Sequence, residues 1–168
     1  MSNKIDTLKA KVLEAQTNAD IATLYVLQEE ALETFDEDTL SGFFANILDL
    51  ALENLTNTLE SCSSLDMKDT QDFATLRALY EYAMEHYHGG SPKDASALFE
   101  VLGGLTKDKS FTHALKYHQK ASEASISLDT FLDEYTDMDK TQEANTFYIS
   151  CFTKKAQDLL DVKKEKAE

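Results

Sequence analysis

The sequence predicts an all-α protein, a single bundle of about seven to eight helices over residues 1–168. Three observations lead to this prediction. Apolar residues recur at steps of three and four along almost the whole chain, which is the spacing of one helix face. No strand–turn–strand pattern is present, and two Gly-Gly pairs stand where helices are expected to end. A chain of 168 residues is long enough for one domain with a sizeable core.

Three helices are predicted in the first part of the chain. The first two are marked by apolar residues at helical spacing, namely Ile5, Leu8, Val12, Ile21, Leu24 and Leu32. The acidic cluster Asp36-Glu37-Asp38 opens the third, because carboxylates are favoured at the positive end of a helix dipole. This third helix is expected to run to about residue 61. It has a wide apolar stripe, so it is predicted to be the central core helix, and a loop is expected at residues 61–68.

The junction at Gly89-Gly90 is the clearest local feature. The fourth helix is predicted from about residue 69 to residue 88, and glycine ends it because glycine adopts the left-handed conformation at little cost. Ser91-Pro92-Lys93-Asp94 then starts a fifth helix, with serine as the N-cap and proline at the first helical position. So short a connection predicts two antiparallel neighbouring helices.

The remaining helices are predicted from the same periodicity. The fifth helix is expected to end at Gly103-Gly104, and the sixth covers about residues 110–124. Ser127 is predicted to cap a short helix that reaches residue 135. The last helix is predicted over residues 141–163. Residues 146–152 within it are strand-like, but the apolar spacing continues on both sides and favours a helix. The tail, residues 164–168, is expected to fray.

The charge excludes several classes of protein. With 31 acids against 16 bases the formal net charge is −15, and Arg77 is the one arginine. Nucleic acids and anionic membranes need clustered Lys and Arg, so neither is an expected partner. The two cysteines, Cys62 and Cys151, form no CxxC pair, and the N-terminal residues lack the apolar core of a signal peptide. A cytoplasmic protein with reduced thiols is therefore predicted.

The candidate metal and catalytic residues do not form a recognised motif. Glu85-His86-Tyr87-His88 contains a single ExxH, whereas carboxylate-bridged di-iron bundles need two. HExxH, a P-loop and a GxGxxG that opens a helix after a strand are all absent. We therefore predict no enzyme, no catalytic residue, no metal and no cofactor. The alternative that stays open is a metal-binding bundle or metal-dependent enzyme built from Glu85, His86 or His88 with His113 or His118.

An acidic segment lies near the end of the chain. Six acids stand between residues 129 and 143 against Lys140 alone. Asp137-x-Asp139-x-Thr141 is similar to the start of an EF-hand loop, but the required glycine is replaced by Gln142 and the closing glutamate is missing. The segment is therefore interpreted as a solvated acidic edge, with a docking surface for a basic partner as the alternative.

The stretch LYEYAMEHYHGGSPKDASALFEVL, residues 79–102, resembles a tetratricopeptide repeat. The resemblance is carried by Leu79, Tyr82, Ala83, Tyr87, Gly90, Ala95, Phe99 and Leu102. In that family the first helix of each pair lines a groove that binds peptides or partner helices. The resemblance implies five partner-binding residues, namely Arg77, Tyr80, Met84, Tyr87 and His88. It covers about a quarter of the chain, and residues 125–135 lack the features of a second repeat, whereas a solenoid needs about three.

The whole chain is also similar to a family of small, acidic, all-helical bacterial proteins without an assigned function. The similar segments are FFANILDLALENLT, FATLRALYEYAMEHY and NTFYISCFT. This resemblance implies no active site.

Taken together, these observations predict a non-enzymatic, cytoplasmic protein–protein interaction module. The expected role is that of an adaptor or a chaperone-like binder of a peptide or partner helix. Besides the metal-binding alternative, a homo-oligomeric structural protein is also consistent with the sequence. The aliphatic and aromatic residues around Gly89-Gly90 are expected to leave some apolar surface open to a partner.

Overall fold

Helices follow one another along the part of the chain that the computed structural model describes, which is the backbone of residues 2–167 and the side chains of residues 3–160. Within it lie nine α-helices and a π-helical turn, and no strand is formed. The all-α prediction is confirmed, and the number of helices is close to the seven or eight expected. The tail that is predicted to fray, residues 164–168, lies outside the described side chains.

The chain divides into two compact units, Met1–Leu79 and Tyr80–Glu168, and the division falls within the fourth helix. Each unit is described below by itself, and the single-domain organisation stays a prediction.

Three long helices and the first part of a fourth form the N-terminal unit. They are α1 (Ser2–Thr17), α2 (Ile21–Thr34), α3 (Glu37–Glu60) and α4 (Thr70–His88). Helix α2 packs against both α1 and α3. The buried apolar side chains repeat at helical steps on each helix, for example Leu8, Val12 and Ala15 on α1. Phe43 and Ile47 of α3 are also buried, whereas Leu59 near its end is exposed, and the role of α3 as the central core helix stays a prediction.

Polar bonds connect α4 to the start of α2 within this unit. Asp20 caps α2 by accepting hydrogen bonds from the backbone N–H of Thr23 at 3.1 Å and from its hydroxyl at 2.6 Å. The side-chain amide of Gln71 donates to the same carboxylate. These bonds lower the pKa of Asp20, with the hydroxyl of Thr23 as the largest cause. Asp20 is therefore both a helix cap and a contact between two helices.

The C-terminal unit contains the second part of α4 and all the later helices. They are α5 (Pro92–Leu105), α6 (Lys109–Glu123), α7 (Leu128–Thr130), α8 (Met138–Ala144) and α9 (Lys154–Ala167). The π-helical turn, Phe131–Tyr135, directly continues α7. Helix α5 packs closely along α6. It ends at Leu105 and therefore includes Gly103-Gly104, where the sequence predicts its end.

Aspartate side chains begin several helices of the described chain. Asp36, Asp108 and Asp137 each accept a hydrogen bond from a backbone N–H three residues later, at 2.8, 2.9 and 3.1 Å. Ser127 caps α7 in the same way, as predicted, through the N–H of Thr130. Short acceptors at this position satisfy donors that the helix itself leaves unpaired. Asp137, which the sequence places in an EF-hand-like pattern, is thus a cap.

The Gly89-Gly90 junction confirms the predicted end of α4. Gly90 has a φ of +85°, the left-handed conformation, and the N–H of Ser91 donates to the carbonyl of His86 at 3.0 Å. Pro92 is the first residue of α5 and Ser91 is its N-cap residue, but the hydroxyl of Ser91 makes no capping hydrogen bond. The proline and the backbone turn therefore set the start of α5.

The predicted last helix, residues 141–163, is wrong. Helix α8 ends at Ala144, its C-cap residue Asn145 is left-handed with a φ of 55°, and α9 begins only at Lys154. Between them lies an irregular segment, residues 145–153, which we call the strap; its Phe152 forms an antiparallel bridge with Thr136. Tyr148 and Ile149 of the strap are buried, and the N–H of Ile149 donates to the hydroxyl of Tyr80 instead of to a helix carbonyl. The strand-like residues 146–152 indicated this interruption of the helix better than the apolar spacing on both sides did.

Candidate functional site

The five residues expected to bind a partner lie in different environments. Tyr80 and Tyr87 are buried, with 4% and 3% of their surface exposed. Met84 is half-buried and His88 is exposed. Arg77 belongs to the N-terminal unit, where its guanidinium lies 4.0 Å from the centre of the Tyr25 ring. Only part of the expected set therefore reaches the surface, and the structure brings Tyr87 and His88 together at one cleft.

Tyr80 lies in an aromatic cluster that forms the core of the C-terminal unit. Its ring centre is 5.3 Å from that of His118 and 6.2 Å from that of Phe111. His118 is fully buried and also contacts Phe99 and Phe131, at 5.1 and 5.3 Å between ring centres. Edge-to-face arrangements such as these are favoured for aromatic rings. Tyr80 is therefore a core residue.

A chain of hydrogen bonds runs through this cluster. The N–H of Ile149 donates to the Tyr80 hydroxyl at 3.1 Å, and that hydroxyl lies 2.7 Å from Nε2 of His118. Nδ1 of His118 is 2.8 Å from the carbonyl oxygen of Ala114. The bonds are consistent if the Tyr80 O–H donates to Nε2 and Nδ1–H donates to the carbonyl. Burial lowers the pKa of His118 to about 4, so the imidazole is neutral at pH 7.

The second feature is a surface cleft beside the Gly89-Gly90 junction, which we call the turn cleft. Its volume is about 330 Å³. One wall contains the end of α4 and the start of α5, with Tyr87, His88, Gly90 and Pro92. The other wall is formed by the end of the connection between α6 and α7 together with the start of α7, residues 125–129. Both walls belong to the C-terminal unit.

A hydrogen bond holds the two walls of the turn cleft together. The hydroxyl of Tyr87 donates to the backbone carbonyl of Ile126 at 2.5 Å. Burial raises the pKa of this phenol, so it stays protonated and keeps its donor function. Ser125 is left-handed, with a φ of 59°, and the N–H of Ile126 donates to the carbonyl of Ala121. The second wall is thus held by backbone bonds as well.

The side chains of the turn cleft are of two kinds. Pro92, Ile126 and Leu128 are half-buried and offer apolar surface, while His88 and Asp129 are exposed at its rim. A small cleft with apolar walls and a few polar groups suits the docking of one or two side chains of a ligand. The sequence indicated the first wall through the Gly-Gly junction. It did not indicate that residues 125–129 lie across from this junction, because the contact between Tyr87 and Ile126 joins residues 39 positions apart.

The residues of the metal-site alternative are not assembled into a ligand group in the described part of the chain. Among the described residues, no group of three or more His, Cys, Asp and Glu side chains is close enough to hold a metal ion. His118 has both ring nitrogens within hydrogen-bond distance of Tyr80 and Ala114. His86 packs against the Tyr82 ring, with ring centres 4.7 Å apart, and His113 packs in the same way on Tyr117.

The acidic segment surrounds the end of the π-helical turn and the start of α8. Glu134 forms an ion pair with Lys155 of α9, and Asp137 lies 4.0 Å from Lys140. Asp129 and Asp133 are exposed, and they take part in no ion pair among the side chains that the structure describes. The side of the segment next to the turn cleft therefore carries uncompensated negative charge.

The architecture and the turn cleft define a class, an all-α protein with a small candidate binding cleft at one helical turn. No protein-family model, curated protein or solved structure matches this chain. In the described part of the chain, no helix combines the length and the apolar character needed to cross a membrane.

Proposed function

We propose that this chain is a non-enzymatic protein–protein interaction module, an adaptor or chaperone-like protein, that binds a segment of another protein at the turn cleft. The observation that carries the proposal is the cleft itself, which lies beside Gly89-Gly90 and has Tyr87 and His88 in its lining. Its volume of about 330 Å³ suits side chains of a peptide or of a partner helix.

The fixed walls of the turn cleft favour binding. Association costs free energy wherever loops and side chains must be ordered. Here the Tyr87 hydroxyl already joins the two walls, and Pro92 restricts the backbone at the start of α5. A partner therefore meets a surface that needs little rearrangement. Of the residues implied by the tetratricopeptide resemblance, Tyr87 and His88 line the cleft, and His88 is the exposed one.

The proposal places the protein in the cytoplasm. Cys62 is exposed and Cys151 is half-buried, and both are free thiols. Exposed free thiols are typical of compartments that keep cysteine reduced. A homo-oligomer is a further possible assembly, and the size of the protein in solution distinguishes it from a monomer that binds other proteins.

A pair of substitutions in the turn cleft tests the proposed function. Pro92→Glu introduces a charge on one wall, and glutamate is well tolerated in the first turn of a helix. Leu128→Ser removes apolar surface from the other wall. Proteins captured from a native lysate by the wild type, and quantified by mass spectrometry, are expected to be lost with both variants.

The matched control is Val101→Glu. Val101 is 40% exposed and lies on the same helix as Pro92, about 13 Å further along at 1.5 Å per residue. This variant is expected to capture the same proteins as the wild type. If Pro92→Glu and Leu128→Ser also retain every captured protein while remaining folded by circular dichroism, the turn cleft is not the binding site.

A further inference from the structure

The turn cleft combines three apolar side chains with polar groups and one carboxylate. Pro92, Ile126 and Leu128 supply the apolar surface, and Asp129 stands at the edge where α7 begins. A ligand that fills the cleft with an apolar side chain therefore brings the neighbouring part of its own chain next to a carboxylate.

The charge at this edge is not neutralised within the described part of the chain. Asp129 and Asp133 lie four residues apart and are both exposed, without an ion pair. By contrast, Glu134 and Asp137 of the same acidic segment have Lys155 and Lys140 as partners. Among the described side chains, Asp139 and Glu143 of the segment are exposed without an ion pair as well, and of these four carboxylates Asp129 is the one in the lining of the turn cleft.

No cationic side chain lies on the wall of the turn cleft that carries Asp129, within the described part of the chain. Lys93 follows Pro92 in α5 and is exposed, but it does not line the cleft. His88 lines the first wall and offers imidazole nitrogens as hydrogen-bonding groups. The wall formed by residues 125–129 contains one charged residue, Asp129.

We propose, resting on the function proposed above, that the turn cleft binds a short basic segment of another protein in which an apolar side chain lies next to Lys or Arg. The apolar side chain occupies the space between Pro92 and Leu128, and the cation pairs with Asp129 and Asp133. Complementary charge steers association and selects among partners, whereas the apolar contact supplies most of the burial.

The size and the charge of the molecule favour this occupant over a second copy of the chain. A volume of about 330 Å³ has room for one or two side chains. Two copies with a net charge of −15 each would also repel one another, whereas a basic segment is attracted by the same field.

Peptide display on the whole protein tests the inference. Random dodecapeptides are selected on the immobilised wild type, and the enriched peptides are labelled and titrated in solution. The enriched sequences are expected to contain Leu, Ile, Met or Phe beside Lys or Arg. Asp129→Lys is expected to weaken their binding by about tenfold or more, and Asp129→Asn by less. Binding is also expected to weaken as salt is raised to about 0.5 M, where exposed charges are screened.

Glu143→Lys is the charge-matched control. Glu143 is exposed in the last turn of α8 and does not line the cleft, and lysine is favoured at the end of a helix. This variant changes the net charge as much as Asp129→Lys does, so unchanged peptide affinity is expected if the effect of Asp129 is local.

The outcomes separate the inference from the proposed function. Peptides without a preference for Lys or Arg, bound equally by Asp129→Lys but lost with Pro92→Glu, would overturn the inference and leave the turn cleft as a binding site. Equal weakening by Glu143→Lys and Asp129→Lys would also overturn it. If no peptide is enriched, or if Pro92→Glu and Leu128→Ser bind the enriched peptides as the wild type does, both proposals are overturned.

Discussion

At the scale of single residues, His118 is notable because it is a titratable side chain that lies fully buried in the core. It is fully buried among aromatic rings, and each ring nitrogen lies within hydrogen-bond distance of a partner. A buried imidazole is tolerated when it is neutral and its polar atoms are bonded. Both conditions hold here, because Tyr80 and the carbonyl of Ala114 provide the partners. The residue therefore acts as a polar connection within an otherwise apolar core.

Acid should weaken the fold through His118. Its pKa is about 4 in the folded protein and about 6.5 in the unfolded chain. Between these values the unfolded state binds more protons, so the contribution of neutral His118 is complete above about pH 6.5 and is lost as the pH falls towards 4. Urea denaturation at pH 7 and pH 4.5 is expected to show a loss of roughly 2–3 kcal/mol from this residue.

The variant His118→Gln isolates this contribution, because glutamine does not titrate. Carboxylates also lose stabilising charge in acid, but that loss is common to both proteins. The difference in unfolding free energy between wild type and variant is therefore expected to shrink from pH 7 to pH 4.5. A constant difference would mean that His118 is not held neutral by burial.

At the scale of the elements, the two Gly-Gly pairs differ in what they do. Gly90 is left-handed at the end of α4, whereas Gly104 lies inside α5, where an added Cβ would meet no atom within 4 Å. Gly90→Ala is expected to lower the unfolding free energy by about 1 kcal/mol, because a Cβ disfavours the left-handed conformation. Gly104→Ala is expected to raise it by about 0.5–1 kcal/mol. Changes of the same sign in urea denaturation would contradict this assignment.

One hydroxyl on α8 accepts two hydrogen bonds from the strap. Thr141 is buried, and its Oγ1 accepts hydrogen bonds from the N–H groups of Cys151 at 3.1 Å and Ser150 at 3.4 Å. Thr141→Val removes the acceptor but keeps the shape of the side chain. Amide exchange at Ser150 and Cys151 is expected to accelerate by about tenfold or more.

Thr56→Val is the control for the strap. Thr56 is exposed, and its hydroxyl donates to the carbonyl of Leu52 within α3. This variant is expected to leave the exchange of Ser150 and Cys151 unchanged. If Thr141→Val also leaves it unchanged, the strap is held by its apolar residues and not by these two bonds.

At the scale of the whole molecule, the net charge of −15 opposes the compact state. Acids outnumber bases by almost two to one, so many carboxylates have no cation to pair with. Raising the salt concentration from about 0.02 M to about 0.3 M shortens the range of their repulsion. The melting temperature is expected to rise by a few degrees, equally in sodium chloride and in potassium chloride. A melting temperature that stays constant or falls would show that the repulsion does not limit stability.

Much of the architecture could be predicted from local patterns. The helices of the first 124 residues appear within a few residues of their expected bounds, because helical periodicity and capping groups act over one or two turns. Asp36, Gly90 and Ser127 have the roles that their neighbours in sequence indicate. These features depend on residues only three or four positions away, so the amino-acid sequence contains them directly.

Contacts between residues far apart in the sequence determine the features that local patterns did not predict, namely the strap and the second wall of the turn cleft. The strap is irregular because Ile149 and Cys151 bond to Tyr80 and Thr141, which lie 69 and 10 residues away. Tyr87 is buried because it meets Ile126, 39 residues further along the chain. Spacing along one helix shows that a residue is on an apolar face, but only the packing of other segments decides whether that face is covered. The second wall of the turn cleft could not be predicted from the sequence for the same reason.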